Sequence, residues 1–285
     1  MPLATYSALR YVTPLREGGS LPALVETDAG LFVVKFRGAG QGARALVAEV
    51  VVGGLARRLG LPLPELAVVD LSPDFGRAEP DPEIQDVLRG SVGPNVGLGF
   101  VPGAFAYEPG AHADLVDPDT AADVVWLDAL TTNIDRTARN PNLLVSRPEP
   151  GPGPSGAGPQ LWLIDHGAAL YAHHDWPTAL ERARTPFPAV RDHVLLPAAG
   201  SVEAADGRLA ERAADLVGPT LAAVPDALLT AAPEGRTPDF ETADEARAAY
   251  ARYLRERLAT PRAWVAEAER ARAEAPETSA LPYRR

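Results

Sequence analysis

Three oxygen-bearing side chains, Asp135, Asn140 and Asp165, fall within one stretch between Thr131 and Gly167. Asn140 is followed by Pro141-Asn142 and the apolar run Leu143-Leu144-Val145. Asp165 follows a second apolar run, Leu161-Trp162-Leu163-Ile164, and precedes His166-Gly167. Two short apolar runs separated by a Pro/Gly-rich spacer read as the arms of an antiparallel hairpin. Pairing them sets Asn140 and Asp165 at the same end of the ladder, with Asp135 just upstream in a polar loop. Such a grouping suits magnesium, a hard cation that takes oxygen ligands, uses one or two protein carboxylates and fills its shell with water and substrate phosphates. Asn140 and Asp165 are therefore the candidate metal ligands. Asp135, five residues before Asn140, is left to accept a proton from a hydroxyl nucleophile. Each residue alone also reads as a turn former; the ordered set is what points to chemistry.

In its fuller form, Asn133-Ile134-Asp135-Arg136-Thr137-x-x-Asn140-Pro141-Asn142-Leu143-Leu144, the loop resembles that of the HipA-like kinases. The shorter pattern, Asp-Arg-x-x-x-Asn followed by Ile164-Asp165-His166-Gly167, is similar to the catalytic and metal-binding loops of phosphatidylinositol 3- and 4-kinases. Both groups belong to the protein-kinase-like superfamily. The passage from Ala56 to Glu65, leading into Leu66 to Leu71, and the segment Arg191-Asp192-His193-Val194-Leu195-Leu196 also resemble HipA-like sequences, the latter with no derivable role. The resemblance runs from about Gly18 to Leu196. It implies an α+β, bilobal kinase-like fold with a small β-rich N-terminal lobe and a larger helical C-terminal lobe. It implies ATP- and Mg2+-dependent transfer of the γ-phosphate to a hydroxyl, with a protein Ser/Thr acceptor favoured and a small molecule or lipid as the alternative. The chain is shorter than full-length HipA and shows no counterpart of its N-terminal extension, which leaves a toxin role and a DNA-bound antitoxin partner unsupported.

The elements that must position this chemistry follow from the pattern. Tyr6 to Leu15, Pro22 to Glu26 and Leu31 to Phe36 read as strands. Glu17-Gly18-Gly19-Ser20 lies between the first two and Thr27-Asp28-Ala29-Gly30 between the last two. That order matches the nucleotide-binding lobe of a kinase, with Gly18, Gly19 and Ser20 letting backbone approach phosphates. Lys35 sits on the third strand, where a kinase lysine contacts ATP. It is also the only lysine among 27 basic residues, and a lone lysine survives most readily where a compact ammonium is required. Gln41 to Leu59 reads as a helix, weakened by Gly53-Gly54 and ended by Gly60 and Pro62. Glu49, near its middle, is placed to pair with Lys35. A short helix is expected around Glu83 to Arg89 in a loop-rich stretch. Asn95 to Gly103 supplies a strand and a hinge, where Gly99 and Phe100 are the candidates for contacting adenine, although its glycines also read as tight-packing strand positions.

Asp119 to Thr131 reads as a helix feeding the catalytic loop, and Trp126 and Trp162 as packing aromatics. Arg136 is expected to take a structural or phosphate-neighbouring role. Residues 147–159, without large apolar side chains, read as a flexible insertion at the hairpin tip, not a domain linker. His173, His174 and Asp175 are expected to be structural or surface residues, not a metal site. The remainder reads as helices over Ser201 to Leu216, Pro219 to Ala231, Thr242 to Leu258 and Pro261 to Ala275, the last two solvated. The expected lobes are 1–103 and 104–285.

Composition sets the outer limits. The 285 residues suffice for a substantial core. No apolar run approaches the ~20 residues that span a bilayer, and Met1-Pro2-Leu3-Ala4-Thr5 lacks the features of a secretory signal. The absence of cysteine excludes disulfides and thiolate chemistry, and a cytoplasmic location is expected. A net charge of -11 argues against broad nucleic-acid binding. Two other function classes compete with a kinase: a non-catalytic nucleotide-binding pseudokinase or scaffold, and a magnesium-dependent phosphohydrolase. The first conflicts with retention of Lys35, Asp135, Asn140 and Asp165 together; the second leaves Lys35 and Gly18-Gly19 unexplained.

Overall fold

The computed structural model describes residues 3–15, 21–77, 79–147, 159–232 and 237–276. The expected phosphate turn of Gly18, Gly19 and Ser20 lies outside them, as does most of the expected insertion at the hairpin tip. In chain order the elements are β1 (Ala4–Pro14), β2 (Ala23–Thr27), β3 (Gly30–Lys35), α1 (Gly42–Leu59), β4 (Leu66–Leu71), α2 (Pro82–Arg89), β5 (Gly93–Gly99), β6 (Phe105–Ala106), α3 (Pro109–His112), α4 (Pro118–Thr131), β7 (Leu143–Ser146), β8 (Gln160–Leu163), α5 (Trp176–Ala183), α6 (Val202–Leu221), α7 (Asp226–Leu229), α8 (Ala243–Leu258) and α9 (Ala263–Glu274). The N-terminal region is rich in sheet and the C-terminal half is helical. Among the described residues no helix is long and apolar enough to cross a membrane.

Two compact units form. The first comprises Met1–Gly54, Pro64–Phe100 and Gly218–Ala251. Its strands close into a barrel in the order β1-β2-β3-β5-β4. Closure comes from a parallel pairing of β1 with β4, Ala4 opposite Ala67 through Ser7 opposite Asp70, while the other pairs are antiparallel. This departs from the expected kinase-like small lobe, which is not a closed barrel. The parallel partner lies beyond a helix in sequence, so alternation within β1 carries no trace of it. Alternating positions of β2 and β3 bury Ala23, Val25, Phe32 and Val34, which cluster with Ala67, Val69 and Leu71.

Gly97 on β5 lies opposite Val34. A Cβ there would stand 2.7 Å from Val69 Cγ2 and 3.3 Å from Phe32 Cδ1. This glycine is thus a packing position, the alternative that sequence left open for this segment. Val69 is branched at Cβ and has little freedom to rotate away.

The second unit comprises Leu55–Leu63, Val101–Val217 and Arg252–Arg285. Its centre is α4, buried on every face from Val124 to Thr131. Asp117 starts α4 by accepting a hydrogen bond from Thr120 N at 2.8 Å, with Pro118 at the first helical position. That N–H, with the Thr120 hydroxyl, holds the Asp117 carboxyl below its ordinary range. Trp126 packs on Trp264 of α9 with ring centroids 5.5 Å apart, and its indole N–H donates to Asp206 Oδ1 at 2.8 Å. The expectation of solvated terminal helices is corrected here: Tyr253 and Leu254 of α8 and Trp264, Val265, Ala268 and Ala271 of α9 are buried. Alanines stand at exposed as well as buried positions of both helices, which weakens the periodic signal.

A second correction concerns Pro219. The helix does not break there but runs through to Leu221, and the chain then makes the short α7 instead of a long helix. Pro219 lies in the last turn, where it removes one helical hydrogen bond, a loss set against the burial of Val217 and Leu221. Strand β6 and helix α5 were not legible; a two-residue strand has no periodicity to read.

The C-terminus of α4 is tied by Arg257. Its Nε donates to Leu130 O at 2.7 Å and its Nη2 to Ala129 O at 2.7 Å. Its Nη1 donates to Ala183 O at 3.0 Å, at the end of α5. One buried guanidinium thereby serves the negative ends of two helices, and the Trp264 ring lies 5.3 Å away. Burial lowers its pKa from the ordinary arginine value. Replacing Arg257 with methionine, which keeps the stem but strands three buried carbonyls, is expected to cost about 3 kcal/mol. Replacing Gly97 with alanine is expected to cost about 2 kcal/mol through overpacking. Both losses would be read as lowered urea midpoints at unchanged m-value; a wild-type midpoint in either variant would refute that account.

Candidate active site

The expected hairpin forms. Leu143 pairs with Leu163, Leu144 with Trp162, Val145 with Leu161 and Ser146 with Gln160, all antiparallel, and β6 adds a third strand beside β7. Leu143, Val145, Leu161 and Leu163 are buried, which fixes the register because a one-residue slip would expose all four. Ile164 N donates to Asn142 O at 3.1 Å and continues the pairing past the strand ends. Asn140 and Asp165 therefore emerge at the same end of the ladder, as the sequence spacing requires.

Between α4 and β7 the chain makes a tight polar loop. Asn140 Nδ2 donates to Asp135 Oδ2 at 2.7 Å, and Asn142 Nδ2 donates to the same oxygen at 3.1 Å. Among the described residues the other carboxylate oxygen of Asp135, Oδ1, has no hydrogen-bond partner. Asp135 N is held by Asn133 Oδ1 at 3.1 Å in an Asx turn. Asp135 is half-buried and Asn140 exposed. With its NH2 committed to Asp135, Asn140 offers only its amide oxygen to a cation. Asp165 takes a left-handed backbone, φ 52°, and accepts from Gly167 N at 3.3 Å.

Sequence left Arg136 a structural or phosphate-neighbouring role; the structure makes it structural. It is buried and its donors are spent inside the protein. Nε pairs with Asp128 Oδ2 at 2.5 Å, Nη1 donates to Asn142 O and, at 3.2 Å, to Ile164 O, and Nη2 donates to His166 Nδ1 at 3.1 Å. The guanidinium thus bridges the loop to both strands of the hairpin. His166, the middle residue of Asp-x-Gly, is buried beneath it.

Asp128 is a residue that motif reasoning missed. Its Oδ1 accepts from Asn133 Nδ2 at 2.9 Å and its Oδ2 from Arg136 and from His193 Nε2 at 2.9 Å. Burial opposes ionisation of this carboxyl, but the adjacent Arg136 charge and the His193 hydrogen bond outweigh it, and the group titrates below the usual range. His193 is held neutral, its pKa lowered first by burial. Leu195 N donates to His193 Nδ1 at 3.1 Å, so that nitrogen carries a lone pair and Nε2 carries the proton. The legible signal was Asp128 itself, a lone acid in Val124-Val125-Trp126-Leu127-Asp128-Ala129-Leu130. A charge in so apolar a helix demands a buried partner.

In the first unit Lys35 Nζ donates to Glu49 Oε1 at 2.6 Å. The lysine side chain is 12% exposed and the glutamate 2%, so the expected pair forms where solvent screening is weak. The N–H of Gly99 donates to Glu65 O at 2.8 Å and that of Phe100 to Leu31 O at 2.9 Å. Both backbone donors are spent within the unit, and the Phe100 side chain is exposed. His173 is buried and His174 stacks edge-on against it at 4.5 Å. Among the described residues no group of three His, Cys, Asp or Glu side chains could hold a metal. A site made of Asn140 and Asp165 needs no such group, since magnesium takes few protein ligands.

No curated protein matches the chain in sequence. Among solved structures, the Helicobacter pylori proinflammatory kinase CtkA is similar in fold, with a TM-score of 0.54 at 13% identity over 96% of this chain and 98% of that one. The family model described as HipA-like kinase matches residues 12–182, more than half of the chain, and that span contains Lys35, Glu49, Asp135, Asn140 and Asp165. The chain therefore belongs to the HipA-like kinase family and is a phosphotransferase.

Proposed function

We propose that this kinase transfers the γ-phosphate of ATP, with magnesium, to a hydroxyl, the serine or threonine of a protein being the favoured acceptor. The observation that carries this reading is Asp135, with one carboxylate oxygen pinned by two amides and the other without a hydrogen-bond partner among the described residues. A carboxylate so held presents a fixed acceptor to an incoming hydroxyl. The hydroxyl oxygen attacks the γ-phosphorus, the bond from that phosphorus to the bridging oxygen breaks, ADP leaves and the hydroxyl proton passes to Asp135. Lys35, held by Glu49, would bind ATP phosphates. Asn140 Oδ1 and the Asp165 carboxylate would hold magnesium, whose part is to neutralise charge on the phosphates. The two units, in this reading, are the nucleotide-binding and catalytic lobes of a kinase.

The test is transfer from γ-labelled ATP with magnesium, to the protein itself and to lysate components, by wild type, Asp135→Ala, Asp165→Ala and Lys35→Met. Loss of the general base is expected to slow transfer by at least about 100-fold, with comparable losses in the other variants. Label on a small molecule or lipid would redirect the acceptor class. Tight ATP binding by calorimetry without transfer would overturn catalysis in favour of a scaffold, and release of free phosphate without an acceptor would make the protein a hydrolase.

A further inference from the structure

The segment Arg191-Asp192-His193-Val194-Leu195-Leu196 lies outside the span matched by the family model, yet it is attached to the catalytic loop at several points. A 3-10 turn over Pro188–Asp192 delivers it. Thr137 and His193 form an isolated antiparallel bridge, and Val194 N donates to Arg136 O at 3.0 Å. These contacts are made by backbone and need no particular side chain. The imidazole adds one that does: Nε2–H donates to Asp128 Oδ2.

We propose that His193 is a positioning residue for Asp135, acting through Asp128. Two routes run from Asp128 to Asp135. In one, Asn133 links Asp128 Oδ1 to Asp135 N. In the other, Arg136 links Asp128 Oδ2 to Asn142 O, and the Asn142 side chain donates to Asp135 Oδ2. Both routes require the carboxylate plane of Asp128 to stay fixed. Nothing within α4 fixes it, since χ2 of an aspartate is a broad torsion. The His193 N–H supplies a third donor, approaching from a different segment of chain, and removes that freedom. Loss of the donor frees Asp128 to turn and blurs both routes, so that the Asp135 carboxylate samples positions off the line of proton transfer.

The two ring nitrogens do different things, which allows a test that separates positioning from mere structure. His193→Gln keeps a donor near the Nε2 position and loses the acceptor for Leu195 N. His193→Asn keeps an acceptor near Nδ1 and loses the donor to Asp128. The inference rests on Asp135 being the base, so Asp135→Asn is measured alongside. Steady-state kinetics are read together with amide hydrogen exchange over residues 133–142, which does not depend on turnover. The expected result is that His193→Asn lowers kcat about 30-fold, as sub-ångström to ångström misplacement does. KM for ATP should stay within about twofold and exchange across the loop should accelerate, while His193→Gln remains within about threefold of wild type in both readouts. Wild-type kcat in His193→Asn, or equal loss in both variants with unchanged loop exchange, would overturn the proposal and leave His193 as the anchor of a turn. Full transfer activity in Asp135→Asn would instead overturn the base assignment, and the inference with it.

Discussion

A carboxylate buried in the middle of an apolar helix governs the second unit. Taking Asp128 out of water costs several kcal/mol, and the fold can contain it only if its oxygens are met by donors of the right number and charge. Arg136 supplies the charge, and Asn133, Arg136 and His193 supply the donors. None of the three lies within α4. Satisfying Asp128 therefore fixes the path of the chain that follows the helix and recruits a segment from well beyond the hairpin. The network is closed at its other side too, because Arg136 spends its remaining donors on carbonyls of Asn142 and Ile164. Such a network is costly if any member is lost, and that intolerance is what makes a loop of this length rigid.

Rigidity of this kind lets the chain hold unfavourable backbone. Thr132, Asn142, Asp165 and Leu170 all have positive φ, between 50° and 56°. Asn and Asp visit this region readily, but for Thr and Leu it costs roughly 1 kcal/mol or more each. Thr132 reverses the chain at the end of α4, where its N–H returns to Ala129 O at 3.4 Å. Leu170 is pinned by donating to Thr131 O at 2.6 Å. Left-handed residues stand at the entry to the loop, at its exit into β7, at the proposed metal ligand and after it. Strain gathers where the hydrogen-bond network is dense enough to over-determine the backbone.

The parts of this arrangement that sequence exposed were those carried by local pattern. Two short apolar runs and the Pro/Gly-rich spacer between them placed β7 against β8, and with it Asn140 and Asp165 at one end. The strand position of Lys35 and its distance along α1 from the start of the helix placed Glu49 within reach. What sequence hid was non-local. Barrel closure depends on a parallel pairing between strands separated by a helix. Alanines stand at exposed as well as buried positions of α8 and α9 and blur the period of their buried faces. Pro219 reads as a break because proline removes one hydrogen bond, while the packing that outvotes it is invisible along the chain. His193 lies in a segment whose resemblance carried no role, and only the fold brings it to Asp128.

The same device operates in each unit on a different charge. In the second, a buried anion is surrounded, and the next anion along the chain, Asp135, keeps one oxygen without a hydrogen bond among the described residues. In the first, a buried anion, Glu49, holds the ammonium of Lys35. Removing the partner of a glutamate nearly excluded from solvent would leave an uncompensated buried charge. This also accounts for the survival of a single lysine in a chain that otherwise uses arginine. At 2.6 Å the pair is one donor to one oxygen. A planar guanidinium would bring five donors into the same space and leave several of them buried without acceptors. The compact ion is the one that suits a tight single-point contact.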